Sequence, residues 1–442
     1  MNIQLSDHFT YKKLLRFTLP SIATMIFTSI YGVVDGFFVS NFVGKTPFAA
    51  VNFIMPFIMI LGAFSIVFGT GGSALISKTM GEGDMANANR LFSMLTYTSL
   101  GFGIVVAVLG VVFIRPIAAL LGAEGAMLDD CVVYGRIILA VLPFYMLQQE
   151  FQSFFATAEK PQLGLIASVS AGVTNMVLDA LLIAVFQWGI IGAAVATATS
   201  QLIGGLFPIL YFSHPNTSLL RLTRASFDGK AFLKTCTNGC SELISHISMS
   251  LVGMIYNVQL MKYVGEDGVA AYGVLMYVSM IFVGAFIGYS IGTAPVVGFV
   301  YGAQNQGELK SLLKKSLVII GAFSVGMLLL GETLARPLSL VFVGYDTGLL
   351  ALTLRAFAIF SFSFLFAGFP IYGSSFFTAL NNGLVSLLIA SLRTLVFQIA
   401  AILILPVIWK VDGIWISLIV GELLATVVTV MFLVSMRKKY HY

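Results

Sequence analysis

Twelve apolar stretches, each about 20 residues long, make up most of this sequence, and short polar turns separate most of them. One helical crossing of lipid hydrocarbon requires about 20 apolar residues. Inside lipid every backbone N–H and C=O must be satisfied within the fold, so this pattern confines the chain to a bundle of membrane helices. The stretches begin near Leu14, Phe48, Leu91, Cys131, Leu163 and Ile190, and then near Phe232, Val269, Leu312, Ala351, Leu384 and Asp412. Charged residues are 10% of the 442 and hydrophobic ones 58%, whereas soluble domains carry about 25% charged residues. A large soluble core is excluded. The polar start, "MNIQLSDHFTYKK", shows no cleavage site behind a short apolar core, so the first stretch is expected to stay as a span.

One connection is longer than the others, "SHPNTSLLRLTRASFDGK" at 213–230, and it falls at the middle of the chain. Sliding the sequence by 221 residues places Gly44, Ala49 and Ala50 on Gly265, Ala270 and Ala271, Gly81 on Gly302, Arg115-Pro116 on Arg336-Pro337, and Gly192 on Gly413. A slip of one more residue adds Gly122 on Gly344 and Phe154-Phe155 on Phe376-Phe377. The pattern predicts an internal duplication: a six-helix lobe over 1–212, a linker over 213–231 and a second lobe over 232–442. Six spans per half is an even number, so the halves run parallel, related by an axis along the membrane normal. Lys and Arg gather on the side of both termini and the linker, among them Lys12, Lys13, Arg16, Lys78, Arg90, Lys160, Lys314 and Lys315. The positive-inside rule makes that side cytoplasmic and the protein a multi-pass protein of the plasma membrane. The net charge of +5 is explained by this bias and needs no nucleic acid.

Ionisable residues within spans are costly, about 2.5–3.5 kcal/mol each on insertion scales, and so are functional candidates. Asp35 lies in span 1, Glu150 late in span 4, Asp179 in span 5, Glu242 early in span 7, Arg393 in span 11 and Glu422 in span 12. By helical rise, Asp35 and Asp179 sit roughly 10 and 5 Å outside the midplane. Asn175 is one turn before Asp179 on the same face, and Thr197 of span 6 comes out at similar depth. Two carboxylates, an amide and a hydroxyl thus share the outer half of the first lobe. Hard oxygen donors suit Na⁺. They equally suit a proton relay, because two close carboxylates in low dielectric cannot both stay ionised. Interhelical hydrogen bonding is the plainer alternative for each residue taken singly.

Arg393 and Glu422 lie on adjacent spans at similar depth, which predicts a structural ion pair. Glu242 has His246 one turn later on the same face. The two form either a packed, satisfied histidine or a cation- or proton-responsive pair on the second-lobe cavity. Glu150 follows Gln148-Gln149 and is expected at an interface or a polar cavity. Pro20 sits one turn into span 1, where it frees a carbonyl and permits a bend. "GTGG" at 69–72 is not followed by Lys-Ser/Thr, so it is read as close helix packing and not as a phosphate loop. The three cysteines do not form a disulfide framework. Cys236 and Cys240 lack further partners for a metal, and none of the four histidines has H-E-x-x-H spacing. No enzyme chemistry is expected, and no cofactor beyond a coupling Na⁺ or H⁺.

The chain resembles the multidrug and toxic compound extrusion (MATE) transporters over essentially its full length. The residues that carry the likeness are "Y-x-x-V-D-x-x-F-V" at Tyr31–Val39, Gly44 with "AAV" at 49–51, Pro56, Gly81 with "YGAQN" at 301–305, and Asn175, Asp179 and Thr197 in the 6+6 layout. The resemblance implies an all-α, V-shaped pair of six-helix lobes around a central cleft. It also implies export of bulky, often cationic or aromatic compounds in exchange for Na⁺ or H⁺. A monomer in the lipid bilayer is expected. In many members the cation site matches Asp35, Asn175, Asp179 and Thr197, and Pro20 matches a proline on which span 1 bends. Glu242 is the nearest match to a substrate or proton site on span 7 of some branches. The acidic residue that some branches carry on span 10 is missing from "FSFSFLFAGFPIYGSSFFTAL". A major-facilitator carrier would need a basic loop after span 2, where this chain has "SKTMGEGDMANANR". A lipid-linked saccharide flippase of related design would need a strongly cationic cleft.

Overall fold

The computed structural model describes residues 3–442, with all their side chains but those at positions 40 and 45. Helices cover nearly all of it. In the first half these are α1 (Tyr11–Phe42), α2 (Lys45–Gly81), α3 (Met85–Leu121), α4 (Gly125–Ala140), α5 (Leu142–Thr157), α6 (Pro161–Leu178) and α7 (Gly189–Ser213). The second half holds α8 (Gly229–Tyr263), α9 (Glu266–Gly302), α10 (Gln306–Val343), α11 (Thr347–Phe360), α12 (Phe364–Ala379), α13 (Gly383–Ser391), α14 (Gln398–Ser435) and the short α15 (Arg437–Tyr440). α4 and α5 are one span bent by 56°, with Pro143 in the first turn after the break, where it needs no helical donor. α14 joins two spans across Lys410, whose φ of 52° and ψ of −125° turn the chain. With α11–α12 and α13 plus the start of α14 each taken as one crossing, twelve spans result, in register with the twelve apolar stretches.

The duplication is visible residue by residue. α2 and α9 are both 37 residues long and begin and end 221 positions apart. Gly44 and Gly265 both precede them with positive φ, 109° and 89°, a conformation that glycine adopts without strain. The two halves form an all-helical two-lobed membrane fold.

Both termini and the linker lie at one end of the bundle, here the basal end; the opposite end is distal. The lobes meet through α1 against α9 and α2 against α8, with α2 and α9 also touching. The meeting points are glycines in the basal halves. A Cβ on Gly288 would lie 2.6 Å from Ile22 Cα, one on Gly292 3.0 Å from Thr18 Cα, and one on Gly71 2.1 Å from the Thr235 carbonyl oxygen. At the basal tips, Gly81 faces the Phe299 carbonyl and Gly302 faces the Lys78 carbonyl, each with 2.0 Å from a built Cβ to that oxygen. These two contacts are mates under the 221-residue repeat, so the pseudo-twofold axis passes between them. Such close approach of backbones is what small residues permit in lipid. "GTGG" serves this purpose as expected: Gly71 faces α8, while Gly69 and Gly72 admit α5 and α3. Further toward the distal end, Ser29 Oγ donates to the Met280 carbonyl at 3.3 Å. Beyond it, built Cβ atoms on Gly32, Gly36, Gly253 and Gly273 meet nothing within 4 Å. The lobes are sealed basally and part distally, so the cleft opens at the distal end.

A strap before α1 crosses the seal. Leu5 and Phe9 are fully buried. The Leu5 N–H donates to Glu159 of the α5–α6 turn at 2.7 Å. The Phe9 N–H donates to Glu308 of α10 at 2.9 Å, and His8 Nδ1 pairs with the same carboxylate at 2.6 Å. Lys315 donates to the Phe9 carbonyl. Burial holds the Glu159 carboxyl above the usual carboxylate range, against the pull of the Leu5 hydrogen bond.

Candidate functional site

The α6 span changes its winding in its distal half. From Asp179 to Val185 it is a π-helix, a local widening that often marks functional sites. Asn175 and Asp179, one turn apart, both turn inward and are buried, at 1% and 0% exposure. Across from them, Asp35 of α1 comes within reach of both side chains. Thr197 of α7 completes the group, with the Tyr134 hydroxyl of α4 beside it. The four residues expected from depth alone are therefore neighbours.

Their polar atoms are unsatisfied. Asp35 Oδ1, both Asp179 oxygens, both Asn175 side-chain atoms and Thr197 Oγ1 are buried with no hydrogen-bond partner among the described residues. Asp35 and Asp179 face each other directly. Nor does any Lys, Arg or His pair with either one among the described residues. Buried polar groups in folded proteins are nearly always paired, and two neighbouring carboxylates without a cation cannot both be charged. The donor set is hard oxygen from four side chains, which fits Na⁺, and a proton shared by the carboxylates fits equally. Two further members were not expected from the sequence. Gln201, whose Oε1 is also buried and unpartnered, lies one turn basal of Thr197; the i,i+4 spacing could have found it. Tyr134 had no such signal.

In the second lobe another π-helix, Leu392–Phe397, carries Arg393. Arg393 donates to Glu422 of α14 through Nε at 2.8 and 3.1 Å and through Nη2 at 2.8 Å, and Gln398 Nε2 adds a bond at 3.2 Å. This is the fork-to-carboxylate geometry that Arg favours. Glu242 is half-buried and within electrostatic reach of Arg393. On α8, Glu242 and His246 follow Gly239 by three and seven positions and share its face. Gly239 packs on Val67 of α2, so the pair stands on the cleft just distal of the seal. His246 is exposed on that face. Pro20 lies inside the unbroken α1. Glu150 departs from the expectation of an interface: it is 0% exposed, between α2 and α3, because its helix face and not its depth decides its surroundings. No group of three or more metal-ligating His, Cys, Asp or Glu side chains occurs among the described residues.

A family model described as MatE matches residues 20–181 and again residues 243–404. The chain belongs to the MatE family. It is 28% identical over 365 residues to the multidrug export protein MepA of Staphylococcus haemolyticus (strain JCSC1435), covering 81% of this chain and 80% of the relative. To the MepA of Staphylococcus aureus (strain MRSA252) it is 23% identical over 436 residues, covering 97% and 94%. Among solved structures, the fold matches a multidrug resistance MATE family transporter of the MOP superfamily in an outward-facing conformation, with TM-score 0.92, 22% identity and 99% of each chain covered.

Proposed function

We propose that this MatE protein exports bulky organic compounds, cationic or aromatic, in exchange for Na⁺ or H⁺, by alternating access of the cleft. The observation that carries this reading is the first-lobe cluster of Asp35, Asn175, Asp179 and Thr197, whose buried oxygens have no partner among the described residues. Names of the relatives, multidrug export proteins, support the cargo class. Basal Lys and Arg support placing the sealed end in the cytoplasm of a plasma-membrane protein. In this reading the cluster takes up its cation from the distal side, which neutralises Asp35 and Asp179 together. α1, free to bend at Pro20, then changes its approach to α6, and the substrate leaves toward the outside. Glu242 and His246 offer the cleft a polar, cation-attracting floor. The rival flippase reading has little support, since Arg393 is engaged by Glu422 and leaves no cationic cleft.

The test uses the purified protein in proteoliposomes with an imposed Na⁺ or H⁺ gradient and a fluorescent organic cation. Asp35→Asn should abolish gradient-driven efflux while insertion and monodispersity are kept. Wild-type rates in that variant would overturn the assignment.

A further inference from the structure

One buried acid stands apart from the cluster just described. Glu150 of α5 is 0% exposed, and both of its carboxyl oxygens lack a hydrogen-bond partner among the described residues. Ser99 of α3, itself buried with an unpartnered hydroxyl, lies within reach of its carboxyl. From α2 the backbone of Gly69 packs on the main chain of Glu150, a built Cβ there lying 3.0 Å from the Glu150 carbonyl oxygen. No charged group from α2, α3, α6, α7 or α9, the helices packed on α5, faces the carboxyl. An ionised carboxylate is costly in such a place.

Its depth differs from that of the first cluster. Counted along their helices at 1.5 Å per residue, Glu150 lies about 10 Å from the basal end of its span, whereas Asp179 and Thr197 lie about 25 Å from theirs. Toward the base, Thr157, two turns on along the same face, is 2.6 Å from Ser73 of α2. A short stretch of α2 lies between Glu150 and α8 of the second lobe. Gly69 of that stretch touches Glu150, while Val67 and Gly71 touch Gly239 and Thr235 of α8. The packing of α2 on the Glu150 backbone and the basal seal thus lie on two faces of the same two turns.

We propose that Glu150 is a second proton-carrying site of the first lobe, one that discharges at the basal end. When the lobes part basally, α8 leaves the outer face of α2, water reaches the Ser73–Thr157 end, and the Glu150 proton passes to it. By linkage, loss of that proton favours the basally open state. The proposal rests on the cation-coupled reading above and assigns a proton to its inward step, whatever ion the distal cluster takes.

The experiment reads conformation and transport separately. Spin labels at Ala86 and Lys310, both exposed at the basal end of opposite lobes, report opening as pH is varied, with Cys131, Cys236 and Cys240 replaced. In the wild type the open fraction should rise with pH. In Glu150→Gln, a neutral isostere, the response that remains in an Asp35→Asn/Asp179→Asn background should vanish, and with the distal cluster intact proton-driven turnover should fall at least tenfold with the substrate KM unchanged. Glu150→Asp should restore the response. Ser99→Ala, a milder change, should move its midpoint and decides the matter if Glu150→Gln does not fold. An undiminished pH response of Glu150→Gln in that background, or a wild-type response in Ser99→Ala, overturns the proposal. Failure of the coupling reading shows elsewhere, as gradient-driven efflux that survives Asp35→Asn.

Discussion

Adding one methyl group at the pseudo-twofold axis should push the transporter out of its sealed state. In Gly81→Ala the new Cβ would stand 2.0 Å from the Phe299 carbonyl oxygen, where real Cβ contacts essentially never fall below 3.0 Å. The partner is backbone on a packed helix, so it cannot swing aside as a side-chain tip would. The α2 and α9 tips must separate by about 1 Å or more, and overpacking of this kind costs about 1–3 kcal/mol. That cost falls on the basally sealed state alone, since the contact ends when the lobes part. It corresponds to a population shift of about 5- to 150-fold toward the open state. Gly302→Ala, its mate against the Lys78 carbonyl, should behave alike, and the double variant should fall short of the sum because separating the α2 and α9 tips relieves both contacts at once. Gly101→Ala, where a Cβ meets nothing within 4 Å, is the control. Pulsed electron-spin distances between labels at Ala86 and Lys310 read the outcome. A longer-distance population should appear in Gly81→Ala and be absent in Gly101→Ala. An unchanged distribution would refute the reasoning, and so would a lowered melting temperature without the longer distance, because the strain would then not be confined to one state.

Two further expectations concern stability. Glu422→Gln leaves Arg393, 16% exposed in its side chain, as a buried charge without its counter-ion, and should cost about 3–5 kcal/mol; the paired variant Arg393→Met/Glu422→Leu should recover most of the lost melting temperature. Glu308→Gln should loosen the strap, because a carboxylate that accepts from both Phe9 and His8 becomes a neutral amide. Hydrogen exchange at the Phe9 amide should rise about tenfold, the equivalent of about 1.4 kcal/mol, and unchanged exchange would mean that Glu308 does not hold the strap.

Much of the fold could be read in advance because lipid leaves few choices. A stretch of about 20 apolar residues has to become a spanning helix, and the starts near Leu14, Phe48 and Val269 lie within three residues of α1, α2 and α9. Gly81 and Gly302 disclosed the repeat because a backbone contact at the axis tolerates no side chain. The cluster of Asp35, Asn175, Asp179 and Thr197 was accessible through depth, which helical rise supplies. Rotation about the helix axis was not accessible in the same way. Glu150, beside two glutamines, has the sequence signature of a wet helix end, yet its face turns into the lobe interior. The π-helices at Asp179 and Leu392 left no mark in composition. Nor did the strap: "LSDHF" is polar by content, and only Leu5 and Phe9, four residues apart, hinted that it docks.

The reciprocal contact of Gly81 with the carbonyl of residue 299, and of Gly302 with the carbonyl of residue 78, has a consequence for ancestry. A six-span protein bearing one such glycine and one such carbonyl three residues earlier would satisfy both contacts at once by pairing with a second copy of itself, as a twofold dimer does. One substitution in that smaller gene would have altered both sides of the interface together. Fusion of the two copies ends this coupling. The halves remain bound to the same geometry at the axis, while the interiors can specialise, one around bare carboxylates and the other around an arginine and its counter-ion.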